Sequence, residues 1–238
     1  MSPVPDSPSP PPRQARAAAT RERILEAAAA DFAAVGYHGS SLSRILERDA
    51  GVTKGALYFH FASKEAMALA VVEAMGDTYR GLVETAARDD AHLDPLRRAA
   101  RLTAGIHDLL WPSPVVRAGV RLSGEGAVGP AWSSWPTRFW EATFTALFVE
   151  ARERGELRGE VDPVAMGRFV LDISQGAFIT SMVTTGLADL APRVAHNWEV
   201  AFAYMAEPAW QAGWRDEGGM TAVMRHHLEQ GGDVDGGG

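Results

Sequence analysis

The chain has 238 residues, 46% of them hydrophobic, no cysteine and a formal net charge of −7. That length can bury a core in one large domain or two smaller ones, and the lack of cysteine excludes disulfides, thiolate nucleophiles and sulfur-ligated zinc, in keeping with a reducing cytoplasm. The net charge excludes coating of nucleic acid or membrane by bulk attraction, yet residues 13–64 carry eight Lys or Arg against five Asp or Glu, while residues 81–238 carry 14 against 21; an anionic partner is expected at the front.

In chain order, the opening MSPVPDSPSPPP has proline and serine where a signal peptide needs a charged start and an apolar middle, so residues 1–14 read as a disordered leader. Strand signals are nearly absent, and proline or glycine separates long stretches of helix-forming residues, so the expected class is all-α with about nine to ten helices. A first helix over residues 17–35 places Ile24, Ala28, Phe32 and Val35 on one face and stops at Gly36. Ser41 N-caps a short helix, LSRILERD, with Leu42, Ile45 and Leu46 inward. Gly51 supplies a sharp turn, and Thr53 caps a third helix that begins at Lys54. Ser63 opens a long helix over residues 64–88.

Farther on, helix starts are marked by proline in the first turn, where its missing N–H costs nothing. Helices are expected over residues 95–110 and 114–122, then a loop, SGEGAVGP. Others run from Ser133 or Ser134 to residue 154, over residues 163–186 and over residues 192–210. The tail from Arg215 holds at most one short helix and ends in a flexible DVDGGG. No stretch reaches about 18 apolar residues without a charge, so no membrane span is expected.

Two short helices joined by a glycine turn and braced by longer ones have the outline of a helix-turn-helix unit. In its second helix Lys54, Gly55 and Tyr58 share a polar arc, while Leu57 and Phe61 share an apolar one that packs on Ile45, Leu46 and Phe32. Lysine can reach a guanine edge or a phosphate, glycine lets backbone approach, and a tyrosine hydroxyl can bond a phosphate. Thr53 and Lys64 sit at helix N-termini, which favour anions. His60 is expected past the last helical turn. The chain's only two lysines, Lys54 and Lys64, flank this segment.

The segment GVTKGALYFHFASKE, with Gly36-Tyr37 and Ser41-Leu42 upstream, resembles the DNA-binding domain of the TetR family of transcriptional regulators over residues 17–70. The resemblance implies phosphate contacts from Ser41, Thr53, Tyr58, His60 and Lys64, with Lys54 and Gly55 facing base edges. It also implies a helix-turn-helix domain over residues 15–62 and a larger helical domain over residues 63–214, with a tail over 215–238. That larger domain binds a small molecule and dimerises through its last two long helices, of which residues 163–186 are apolar almost all round. A pseudo-palindromic operator follows from the two-fold axis. Within the family, KGALYFHFASKE and the later EARERGELRGEVDP are similar to the γ-butyrolactone receptors of actinobacteria. In that subgroup a tryptophan packs on the effector, and the match falls on Trp140, with Trp132 and Trp135 crowded nearby. Phe144, Gln175 and Thr180 are further ligand-binding candidates, the last two as polar groups on an apolar helix. Asp172, on the same helix, is expected to pair with an arginine or meet a dimer partner.

The expected function is a homodimeric repressor released from operator DNA by a γ-butyrolactone, furan or butenolide. The alternative within the family senses an antibiotic or other drug, and a rival of another class is a helical esterase. No cofactor, metal or catalytic residue is expected. GEGAVG at residues 124–129 matches a dinucleotide fingerprint but lacks its strand–turn–helix context. No nucleophile elbow accompanies His107-Asp108, and His226-His227 are adjacent, which points them apart on a helix.

Overall fold

The computed structural model describes residues 12–49, 51–110 and 112–225. Its elements are α1 (Pro12–Gly39), α2 (Leu42–Arg48), α3 (Lys54–His60), α4 (Lys64–Asp89), α5 (Pro95–Leu110), α6 (Pro114–Gly124), α7 (Pro130–Ser133), α8 (Trp135–Glu153), α9 (Pro163–Thr185), α10 (Leu190–Met205), α11 (Pro208–Asp216) and α12 (Gly219–Val223). Among the described residues the remaining regular feature is one antiparallel bridge, Leu157 with Ala206. No helix among them is long and apolar enough to cross a membrane. The sequence MSPVPDSPSPP, His226-His227 and the closing DVDGGG lie outside the described residues.

Two compact units form: Met1–Asp77 with Pro112–Ser133, and Thr78–Trp111 with Ser134–Gly238. In the first, Ile24, Ala28 and Phe32 are buried on α1, as their spacing requires, together with Ile45, Leu57 and Phe61. Val35, Leu42 and Leu46, expected inward, are half-buried. α1 opens at Pro12, ahead of the expected residue 17, because proline suits the first helical position and helix-forming Arg13 to Ala19 follow it. Gly36 breaks the helix where expected: its φ of 74° and ψ of 179° are costly for any side chain. One further turn then reaches Gly39.

In the second unit, α9 packs on both α8 and α10, and α5 packs on α8. α9 approaches α8 closely at Gly167, where an added Cβ would lie 2.2 Å from Thr145 Oγ1. Asp162 caps α9 by accepting the Val164 N–H at 3.0 Å, and left-handed Gly186 ends it. The single helix expected over residues 192–210 is instead two, α10 and α11. Pro208 pushes Glu207 into extended backbone, as proline does to its predecessor, and the extended Ala206-Glu207 pair bonds across to the 156–158 segment. Arg158 N–H donates to Met205 O at 2.9 Å, and Glu207 N–H to Glu156 O at 2.8 Å. That break, with short α7 and α12, raises the count among the described residues to twelve.

Candidate nucleic-acid interface and effector site

The short helix α3 is fixed by groups on both sides of its turn. Thr53 Oγ1 accepts the Ala56 N–H at 3.1 Å, and Ser41 Oγ accepts the Arg44 N–H at 3.3 Å, so both hydroxyls cap helices as expected. Both residues are exposed, and each hydroxyl keeps its own proton to donate. Leu57 and Phe61 are buried, and the Arg21 guanidinium lies over the Phe61 ring at 5.1 Å. The opposite arc is open: Lys54 and Gly55 are exposed, Tyr58 is 48% exposed, and a Cβ at Gly55 would meet no atom within 4 Å. His60, expected beyond the helix, lies in its last turn and is half-buried. The helix carries through His60, since the Phe61 N–H still bonds Leu57 O at 2.9 Å.

A polar network ties α1 to α2 and to the turn that leads into α3. Asp31, on the buried face of α1, is fully buried; its carboxylate accepts Ser40 Oγ–H at 2.7 Å and Arg48 Nε–H at 2.9 Å, with Arg44 at 3.2 Å. Burial pushes its pKa up, but the hydrogen bonds from Ser40, Arg48 and Arg44 outweigh that and hold it below the usual carboxylate value. At the turn, Asp49 takes a two-pronged bond from Arg23 and accepts the Gly51 N–H at 2.9 Å; the Arg23 bond and then the Gly51 bond draw its carboxyl down.

Lys64 also serves the protein's own backbone. Its Nζ donates to Tyr37 O at 2.8 Å and Ser40 O at 3.0 Å and sits 4.2 Å from the Tyr37 ring centroid, leaving one proton for another acceptor. At the same corner Arg121 of α6 donates to Ala33 O and Ala34 O at 3.2 and 3.1 Å, and Glu125 accepts the Tyr37 N–H at 2.7 Å. The broken turn at Gly36 is therefore clasped by an arginine–glutamate pair, itself joined at 2.9 Å.

In the second unit, the effector candidates fall in different places. Trp140 and Phe144 are buried neighbours on α8, 6.1 Å between centroids. They belong to a column of rings: Trp135, Phe139, Trp140 with Tyr79 at 4.9 Å, Phe144, then Trp198 at 5.5 Å, Phe202 at 5.1 Å and the stacked Trp210 and Trp214. Burial raises the Tyr79 phenol above its ordinary range, against the hydrogen bond from Trp140 that lowers it. The Trp198 indole N–H is buried without a hydrogen-bond partner among the described residues. Of the crowded tryptophans, Trp132 is exposed on α7 and Trp135 is half-buried, so Trp140 is the one embedded in the column.

Gln175 and Thr180 are exposed on α9 and do not join Trp140 and Phe144. Gln175 Nε2 donates to Thr137 Oγ1 at 3.4 Å. Thr180 lines an open groove of about 580 Å³ between α9 and α10, with Ile173, Asp189, Arg193, His196 and Asn197. Asp189 gathers Ser181 Oγ–H, Thr185 Oγ1–H at 2.7 Å and Arg193 Nε–H at 2.6 Å, and these bonds, Ser181's first, draw its pKa down to about 2. Asp172 is exposed and forms no ion pair among the described residues; Arg168, one turn before it, pairs with Glu141 at 2.7 Å instead, which corrects the expected arginine partner. α9 presents Phe169, Ile179, Met182 and Val183, and α10 presents Val200 and Tyr204, as exposed apolar groups.

Sequence reasoning missed Asp31, Tyr79, the Arg121–Glu125 clasp and Phe59. A carboxylate one turn after Ala28 on an apolar helix face, with Arg44 and Arg48 on the next helix, was a signal for the first. The clasp joins residues 88 apart, and nothing local announces it. No three His, Asp or Glu side chains gather to hold a metal among the described residues. The GEGAVG loop follows helix α6 and precedes the four-residue α7, so the strand a dinucleotide site requires is replaced by a helix.

Comparison with known proteins places this geometry. The model of bacterial regulatory proteins of the tetR family matches residues 24–71, which span α2 and α3 with parts of α1 and α4. The A-factor receptor protein of Streptomyces griseus is 35% identical over 224 residues, covering 92% of this chain and 76% of that protein. Among solved structures, a γ-butyrolactone receptor described as ArpA-like superposes with a TM-score of 0.70 at 30% identity over 91% of this chain and 99% of that one. CprB of Streptomyces coelicolor, solved in complex with its biological operator sequence, gives 0.71 at 30% identity over 88% and 98%. With a capped, outward-facing α3 and full-length similarity to such receptors, the chain belongs to the TetR family of bacterial regulatory proteins.

Proposed function

We propose that the chain is a cytoplasmic, homodimeric transcriptional repressor that holds a pseudo-palindromic operator through α3 and leaves it when a small effector of γ-butyrolactone, furan or butenolide type is bound. The observation that carries the reading is the open arc of Lys54, Gly55 and Tyr58 on a helix whose other face is locked by Leu57 and Phe61. Ser41, Thr53, Tyr58, His60 and Lys64 are assigned to phosphates, Lys64 through its remaining proton, and Lys54 and Gly55 to base edges. The apolar faces of α9 and α10 supply the dimer contact, since so much exposed aliphatic and aromatic surface on adjacent helices marks an interaction site. The similarity to γ-butyrolactone receptors supports a lactone-class effector over an antibiotic. Catalysis is no part of this reading.

The effector site is assigned to Trp140 and Phe144. An effector there parts packed rings and competes with Tyr79 for the Trp140 N–H. Tyr79 lies on α4, a continuous helix that begins at Lys64, so a shift of that helix works on the grip Lys64 has on Tyr37 and Ser40. Ligand need only favour the non-binding conformation: about 3 to 5.5 kcal/mol of differential affinity empties most operators. Gln175 and Thr180 are retained as polar contacts only for an effector that opens the α8–α9 packing. The test is to select tight duplexes from random DNA and titrate lactones, furans and antibiotics against the complex by fluorescence anisotropy. Release by lactones in wild type and loss of that response in Trp140→Ala is the expected result; operator binding unmoved by every lactone and furan removes the effector assignment.

A further inference from the structure

Phe59 is the most exposed large apolar side chain among the described residues, at 81%. It stands on α3, on the same open side as Gly55, one turn before it, with Tyr58 adjacent. Its ring contacts the His60 imidazole edge to face, with centroids 5.0 Å apart. The other strongly exposed apolar residues, Val183, Tyr204, Ile179 and Val200, cluster on α9 and α10, where several together can bury one another against a second chain. Phe59 has no such company: its arc is otherwise Lys54, Gly55 and Tyr58, a lysine, an open glycine and a tyrosine.

A lone phenyl ring in a cationic arc suits one surface in particular. The major-groove edges of base pairs are polar except for the C5-methyl group of thymine. Resting on the reading that α3 enters that groove, we propose that Phe59 is a base-specifying residue: its ring covers a thymine methyl at a step different from the one Lys54 reads. The helical wheel separates the two side chains by about 140°, which places them over different base pairs. The open space over Gly55 leaves the groove floor within reach of the ring from that side. Lysine then selects by hydrogen bond and phenylalanine by apolar contact, and neither substitutes for the other.

The test uses the full-length dimer and a duplex selected from random DNA, with each thymine of the half-site replaced in turn by uracil, which lacks only the methyl. At one thymine per half-site, uracil should weaken the wild-type protein about fourfold, the value of one buried methyl-sized group. Phe59→Ala should weaken binding to the thymine duplex and be indifferent to uracil at that position, so the two losses are not additive. Circular dichroism and Tm should be unchanged, because the ring packs on so little. A flat uracil scan in wild type, or an undiminished uracil penalty in Phe59→Ala, overturns the proposal while DNA binding stands. So does wild-type-like operator affinity in Phe59→Ala accompanied by a shift in oligomer mass, which assigns the ring to a protein contact. A wild-type protein that binds no duplex at low ionic strength overturns the regulator reading itself.

Discussion

The corner formed by α1, α2 and α3 and the column formed by α8, α10 and α11 use different physics. Around α3 the positions are set by directional bonds to few partners: Asp31 to Ser40, Arg44 and Arg48, Asp49 to Arg23 and Gly51, Lys64 to two carbonyls. In the column the rings hold one another by packing, hydrogen bonds come only from single indoles such as Trp210 to Asp94 and Trp214 to Glu199, and the central Trp198 buries an indole N–H with no partner among the described residues. A reading helix must hold its side chains within a fraction of an ångström of base edges, which hydrogen bonds enforce because they weaken steeply with distance and angle. An effector bound at the column, as proposed, would have to part these rings, and apolar contacts can be exchanged for others of equal size with little loss. The difference separates what has to stay from what has to give.

The largest effect should come from the column. Trp198→Ala removes its central ring and should cost about 3–5 kcal/mol in denaturant unfolding. Trp198→Phe should recover most of this, since it keeps an aromatic ring and removes the unpaired N–H; a Phe variant as unstable as the Ala variant would show that the indole's polar atom matters there.

Asp31→Ala should follow, at about 2–4 kcal/mol, because it strands Ser40 and two arginines that retain some contact with water. Operator affinity should fall with it, whereas Asp31→Asn should keep part of both. Loss of stability with intact DNA affinity would break the claim that the network exists to orient α3.

Acid should weaken the α1–α2 corner through Asp31 and the α9–α10 groove through Asp189. The folded pKa of Asp31 lies below its unfolded value of about 3.9, so its stabilisation is complete above that and disappears as pH falls through the folded value. For Asp189 the loss extends from about 4 down to about 2. Thermal melts at stepped pH should therefore fall below about pH 4; Asp31→Asn should flatten the upper part of that fall.

Smaller in stability, though not in function, are the α3 variants. Tyr58→Ala should weaken all duplexes alike, while Lys54→Ala should lose about 1–3 kcal/mol of discrimination at one base pair. Equal preference in wild type and Lys54→Ala, read by competition among selected and scrambled duplexes, would mean that another residue reads the base.

The smallest effect belongs to the clasp. Glu125→Gln keeps a partner for the Tyr37 N–H but loses the charge that pairs with Arg121, and should cost about 0.5–1 kcal/mol, as exposed pairs do. A far larger loss would show that the Gly36 turn depends on this pair.

Helical periodicity, capping residues and glycine turns made α2, α3 and α4 legible before any coordinates, because their signals lie within four residues of one another. The same local signals marked Asp162 and Pro163 at the start of α9. They misjudged residues 192–210, where an extended pair at Ala206 is stabilised by backbone bonds to residues 156–158, about fifty positions away. They also grouped Trp140 and Phe144 with Gln175 and Thr180, which share chemistry suited to a pocket but not a location.

The order of amino acids alone determined the all-helical class, the reading helix with its buried and open arcs, and the positive bias of the front, since each follows from neighbours along one turn. Only tertiary structure decided that Lys64 grips the backbone of Tyr37 and Ser40, that Glu125 reaches Tyr37, and that Phe59 faces outward unaccompanied. Those outcomes depend on which distant segments meet, and a hydrogen-bond donor or a bare ring carries no mark in sequence of what will be set opposite it.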